Sequence, residues 1–172
     1  MGISVDREIG AKIKGRAELT EIRKDLARQG KTVVFTNGCF DILHRGHVEY
    51  LLQARRLGDV LMIGVNDDQS VRRLKGPGRP LVPQQDRAYL LAALIMVDYV
   101  CLFPEDTPLQ LIQSLQPDVL VKGSDYQLHE IVGKQTVEER GGKVVTIPLV
   151  ENRSTSNIIN TIVRLTKQGI FD

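Results

Sequence analysis

A chain of 172 residues is long enough for one well-buried domain and too short for two ordinary ones, so a single domain over residues 1–172 is expected. Its 23 basic and 21 acidic residues leave a formal charge of +2, too balanced to argue for a nucleic-acid or membrane-surface partner, and 42% apolar with 26% charged residues speaks against disorder or a fibrous repeat. Cys39 and Cys101 form neither a disulfide framework nor a C-x-x-C pair, the N-terminal stretch lacks the apolar core of a signal peptide, and no apolar run approaches the length of a membrane span, so a cytoplasmic protein with reduced thiols is expected.

Residues 1–15 mix Gly, Lys and Ile without a clear period and read as a loosely held arm. Leu19, Ile22 and Leu26 then follow helical spacing, with Gly30 placed where a helix stops. A strand is predicted at about 32–36, a polar turn carries Asn37 and Gly38, and a helix opens near Arg45 or Gly46 and runs to Leu57. Residues 59–65, DVLMIGV, form a continuous apolar run of strand length, which fits a strand buried on both faces of a parallel sheet. Asn66, Asp67 and Asp68 offer caps for a short helix through Leu74. Next comes KGPGRPLVPQ from Lys75 to Gln84, a Gly/Pro-rich loop of the kind that often forms part of a binding surface. A helix is predicted over 85–96 and a third strand over 98–103. A helix capped by Asp106 or Thr107 through Leu115 follows, then a fourth strand over 117–123 and a helix within 129–140. The fifth strand is placed at 143–150 and the last helix at 157–167. Strands alternating with helices argue for a three-layer α/β fold, Rossmann-like, with a five-stranded parallel sheet.

In such sheets ligands bind beyond the carboxyl ends of the strands. Four polar turns fall there: Asn37 to His47, Asn66 to Asp68, Lys122 to Tyr126, and Asn152 to Ser156. The first is a strand passing through a glycine-containing turn into a helix, an arrangement whose free N–H groups and positive dipole end favour an anion. His44 and His47 lie one helical turn apart at that opening and can point at one cluster of ligand oxygens, with Gly46 between them allowing close approach to the backbone. Two readings compete: a pair of unconnected surface or cap histidines, or a zinc site with Asp41. A G-x-x-x-x-G-K-[ST] loop is missing, as is G-x-G-x-x-G after the first strand, which removes P-loop proteins and makes ordinary dinucleotide dehydrogenases an unlikely class.

T-N-G-C-F-D-I-L-H-R-G-H, residues 36–47, resembles the signature of the H-x-G-H nucleotidyltransferases. With V-N-D-D, R-L-K-G-P, R-P, D-T-P, V-K-G-S-D-Y and S-T-S-N-I-I following in order, the wording is most like the D-glycero-β-D-manno-heptose 1-phosphate adenylyltransferase branch of that superfamily. Ser124 stands where relatives often have a second glycine. The resemblance implies adenylyl transfer from ATP to the sugar phosphate, giving ADP-heptose and pyrophosphate for the inner core of lipopolysaccharide. A cytidylyltransferase acting on glycerol 3-phosphate or a related alcohol phosphate is the alternative. It further implies His44, His47 and Lys75 as catalytic residues. Thr36, Asn37, Gly38, Cys39, Phe40, Lys122, Gly123, Asp125, Tyr126, Ser154, Thr155 and Ser156 would bind the nucleotide, and Asp41, Arg79 and Arg87 the sugar phosphate. Lys75 could equally be a solvated loop lysine, Ser154 to Ser156 mere helix caps, Asp125 and Tyr126 a turn, and Arg87 a helix-surface arginine. Mg²⁺ would accompany the triphosphate, held mainly by phosphates, with no protein metal cage. A homodimer is implied as well. Some relatives carry the domain fused to a sugar kinase; 172 residues leave no room for one, so a separate kinase and phosphatase would supply the substrate.

Overall fold

The computed structural model describes residues 5–124, 127–150 and 153–171. Val5–Ala11 (α1) and Arg16–Arg28 (α2) lead to Val33–Gly38 (β1) and Arg45–Arg55 (α3). Val60–Asn66 (β2), Asp68–Lys75 (α4), Gln84–Ala92 (α5) and Tyr99–Phe103 (β3) follow. Leu109–Leu115 (α6), Val119–Gly123 (β4), Lys134–Glu138 (α7), Lys143–Ile147 (β5) and Thr155–Lys167 (α8) complete the order.

The five strands are parallel and ordered β3-β2-β1-β4-β5. Every residue of β2 is buried, which is why its sequence is a continuous apolar run and does not alternate. Along β1 the side chains divide by parity. Val33 and Phe35 join Leu19, Met62, Leu111, Ile112, Leu115 and Leu120 on one face. Val34 joins Leu51, Ile63, Leu91, Val100 and Val121 on the other. Thus α2, α6 and α7 cover one face and α3 and α5 the other, giving three layers. The chain changes faces between β3 and β4, and β4 lands on the far side of β1. The gap between the carboxyl ends of β1 and β4 is therefore the switch point, where an open α/β sheet leaves a crevice.

Residues 5–14 are more ordered than the loose arm expected for residues 1–15. After α1, Ile13 bridges Val100 in parallel, Lys14 N–H donates to the Val100 carbonyl at 2.9 Å, and Ile9 and Ile13 pack on the core. The periodicity could not show this, because the segment is held by β3 and by a neighbouring turn and has little amphipathic pattern of its own. The helix expected over 85–96 stops at Ala92. The chain then makes tight turns, and Lys12 Nζ donates to the carbonyl of Val97, in the turn that leads into β3, at 2.8 Å. Ile95 consequently stands 94% exposed. Of the helix expected within 129–140, only five residues form, after a 3₁₀ turn at Leu128–Glu130.

Candidate active site

β1 ends at Gly38, and α3 opens with His44 as its N-cap in extended backbone. Between them Phe40 takes a φ of +47°, a left-handed conformation that costs an L residue about 1–2 kcal/mol. The turn sets the Phe40 ring 5.3 Å from the His47 ring. The His44 ring stacks on that of His47, with centroids 3.9 Å apart and planes 23° from parallel. Gly46 is needed for that stack. A Cβ there would lie 3.0 Å from the His44 ring and 3.2 Å from Arg153 Cβ, so the glycine makes room for these protein atoms, and it also lines the cavity.

Nδ1 of each histidine is buried with no hydrogen-bond partner among the described residues. Burial, and then the neighbouring His44, lower the pKa of His47 to about 4. Burial, and then the charge of Arg153, lower that of His44. Both rings are thus neutral near pH 7, each with one N–H and one lone pair. An arriving anion would favour their protonated forms. The zinc reading fares poorly: both carboxylate oxygens of Asp41 are engaged elsewhere, and no group of three His, Cys, Asp or Glu side chains converges among the described residues.

Cationic groups reach the crevice from four elements. Lys122, at the end of β4, donates from Nζ to Asn37 Oδ1 at the end of β1, tying the two strands at the switch point. Lys75 closes α4 and is exposed. Arg79 sits in the following loop and Arg153 just before α8. The thiol of Cys39 beside them is pushed up by burial, against the pull of Lys75, Arg87 and Arg79, and stays protonated.

The loop between α4 and α5 is clasped from two sides. Asp41 Oδ1 accepts the N–H groups of Leu81 and Val82, each at 2.8 Å, and its Oδ2 accepts from Arg79 Nε. On the opposite side Arg87, 0% exposed, donates to the Val82 carbonyl at 2.9 Å, to the Cys39 carbonyl, and to Asp68 Oδ1 at 2.8 Å. The loop after β3 is clasped in the same manner. Arg16 forks onto Glu105 at 2.6 and 2.7 Å, and Arg73 reaches Asp106 Oδ1 and the Pro104 carbonyl, each at 2.7 Å. Burial raises the pKa of Glu105, but the Arg16 pair outweighs it and holds the carboxyl below its ordinary range.

These loops enclose a cavity of about 640 Å³. It brings together Asn37 to Asp41, His44 and His47, Lys75 and Arg79, Lys122 and Gly123, and Ser154 to Ser156. Two expected site residues lie off it. Thr36 is buried beneath, its hydroxyl 2.7 Å from that of Tyr50. Arg87 is wholly buried in the loop clasp, so it is placed to hold the loop and not to contact a substrate. The oxygens of Asp41 are likewise committed to the loop. Ser154 does cap α8, accepting from Asn157 N–H at 3.1 Å, while Thr155 Oγ1 donates to the Ile42 carbonyl at 3.4 Å. Asp125, Tyr126 and Asn152 lie outside the described residues.

The sequence reading missed Tyr50, Ile131, Val132, Leu149 and Val150 on the lining. Tyr50 falls one helical turn after His47, a spacing that could have flagged it. The apolar four carry no motif and are recruited only by the tertiary fold. Arg153 lies in the Asn152 to Ser156 turn, where the motif gives it no role of its own.

The family described as Cytidylyltransferase-like matches residues 35–164. Bifunctional protein HldE of Syntrophotalea carbinolica is 57% identical over 162 residues, covering 94% of this chain and 33% of that protein. Bifunctional protein HldE of Trichlorobacter lovleyi is 56% identical over 156 residues, covering 91% and 32%. The chain thus spans about a third of the length of these curated relatives. A lipopolysaccharide core biosynthesis protein from Thermoplasma volcanium superposes with a TM-score of 0.58 at 29% identity, over 70% of this chain and 98% of that one. Pantoate-β-alanine ligase from Francisella tularensis gives 0.61 at 19% identity, over 88% and 78%, a likeness of fold alone.

Proposed function

This chain belongs to the cytidylyltransferase-like family, and from that premise we propose that it transfers an adenylyl group from ATP to D-glycero-β-D-manno-heptose 1-phosphate, releasing pyrophosphate. The observation that carries the reading is convergence: a neutral histidine pair, Lys75, Lys122, Arg79, Arg153 and the opening of α8 all line one cavity at the sheet's switch point. Over 50% identity to HldE proteins and the core-biosynthesis description of the Thermoplasma volcanium structure support the assignment to lipopolysaccharide precursor synthesis.

In this reaction an oxygen of the sugar phosphate attacks the α-phosphorus and the bond to the β-phosphate bridging oxygen breaks. The displacement needs little covalent help and much positioning and charge stabilisation. His44 and His47 donate N–H groups to the triphosphate as negative charge grows on the leaving pyrophosphate, aided by the dipole of α3. Lys75 supplies a cation from the edge of the clasped loop, and Arg79 and Arg153 add charge near the phosphates. Ser154 and Ser156, with the N–H groups that open α8, suit the β- and γ-phosphates, while Asn37 to Phe40, Gly123, Asp125 and Tyr126 take the nucleotide. The cavity's carboxylates are largely paired with arginines, so the residues here would meet Mg²⁺ as the triphosphate's counter-ion, which lowers the charge the cations must balance.

Cytoplasmic residence as a homodimer completes the proposal. No helix among the described residues is long and apolar enough to cross a membrane. Ile162, Val163, Ile170 and Phe171, on and after α8, are exposed apolar surface that a second copy would cover.

The deciding experiment measures pyrophosphate release with each of the four nucleoside triphosphates and either heptose 1-phosphate or glycerol 3-phosphate. ATP is expected to be preferred. Preference for CTP with glycerol 3-phosphate would move the protein to the alternative substrate class.

A further inference from the structure

The two oxygens of the Asp41 carboxylate do different work. Oδ1 takes both backbone N–H groups, of Leu81 and Val82, at 2.8 Å. Oδ2 takes only the Nε–H of Arg79. The carboxylate is fully enclosed, with 0% of its side chain exposed, against 19% for Arg79. Among the described residues Asp41 Oδ2 is the one acceptor on the Arg79 guanidinium, so the two terminal nitrogens are left over while the arginine lines the cavity. A guanidinium gripped by Nε cannot swing freely, and its outer edge is the part that forms two-point contacts with a phosphate.

We propose that Asp41 is a positioning residue with two separable roles: Oδ1 pins the Lys75–Pro83 loop to the turn after β1, and Oδ2 aims Arg79 so that its terminal nitrogens receive a substrate phosphate. Asp41 touches no substrate; its influence on turnover passes through Arg79 and the loop. The second role rests on the adenylyltransferase reading above, whereas the first does not depend on it.

The geometry allows the roles to be split by substitution. Asp41→Asn keeps a carbonyl oxygen for Leu81 and Val82 but turns an amide N–H₂ toward Arg79. Asp41→Ala removes both. Amide hydrogen exchange at Leu81 and Val82 reads the pin whatever the substrate is. Exchange should stay within about threefold of the parent in Asp41→Asn and rise more than about tenfold in Asp41→Ala, with β1 and β2 amides unchanged in both. Kinetics read the aim, in a cycle of Asp41→Asn, Arg79→Ala and the double variant. Asp41→Asn should raise KM for the sugar phosphate about tenfold with a smaller change in kcat, and the double variant should be no worse than Arg79→Ala alone. Losses that multiply would place Asp41 on the substrate and overturn the second role. Unchanged exchange in a folded Asp41→Ala protein would overturn the first. If the parent protein transfers no nucleotide at all, the enzymatic reading fails and the exchange result still decides the pin.

Discussion

In the proposed transfer, His44 and His47 are the single residues that would concentrate the chemistry. Each keeps a buried Nδ1 without a partner among the described residues, an arrangement that costs stability in the free protein. His44→Ala or His47→Ala should lower turnover about 10²-fold or more, as loss of a preorganised donor does, with the circular dichroism spectrum of the fold retained; near-normal turnover would remove the pair from catalysis. The pKa of His47 also fixes a pH dependence. Folding lowers it from an ordinary 6.5 to about 4, so between these values the unfolded chain binds a proton the native protein does not, and stability falls as pH drops through that window. Thermal melts of parent and His47→Gln, compared from pH 7 to 4, should show the parent losing Tm relative to the variant on acidification. A constant gap would show that the ring is not held neutral. The motif made both histidines legible in the sequence, but not their stacking: that depends on the Phe40 turn and on the space at Gly46, which only the packed structure sets.

At the scale of elements, the site is assembled by clasps between loops. Arg87 shows why sequence reading misplaced it: a lone arginine on a predicted helix cannot be told from a surface or substrate-binding one, because its partners, the carbonyls of Cys39 and Val82, are backbone atoms brought in by folding. Its replacement should therefore act on stability before activity. Arg87→Met would leave those two carbonyls unpaired beneath the loop and lower stability by about 3 kcal/mol, a Tm fall of roughly 6–12 °C in a protein of this size. Differential scanning calorimetry would check it; a shift within the range of ordinary surface substitutions would return Arg87 to the periphery. The strands and most helices were legible because burial on both faces and helical periodicity are written locally. The end of α5 was not, since Leu94 to Met96 keep the apolar spacing of a helix although the chain has already turned at Ala93, in a segment that Lys12, distant in sequence, holds at Val97.

The whole molecule places four polar turns at one end of a sheet, and that much followed from counting strands and assuming parallel order. The doubly wound topology, with β4 crossing to the far side of β1, supplies the crevice beyond Asn37 and Lys122 that strand counting could not locate. Ile131, Val132, Leu149 and Val150 carry no signal for the same reason: an apolar residue on a cavity wall reads like one in the core.

The Ile13–Val100 bridge has a meaning for the protein in concentrated solution. β3 ends the sheet, and an end strand with bare N–H and C=O groups is a template on which another extended chain can grow. Here the Val100 N–H already donates to the Lys12 carbonyl and its carbonyl already accepts from Lys14, so this rim is stoppered halfway along by residues 12–14. Resistance to edge-to-edge aggregation thus resides in a segment that takes no part in the cavity.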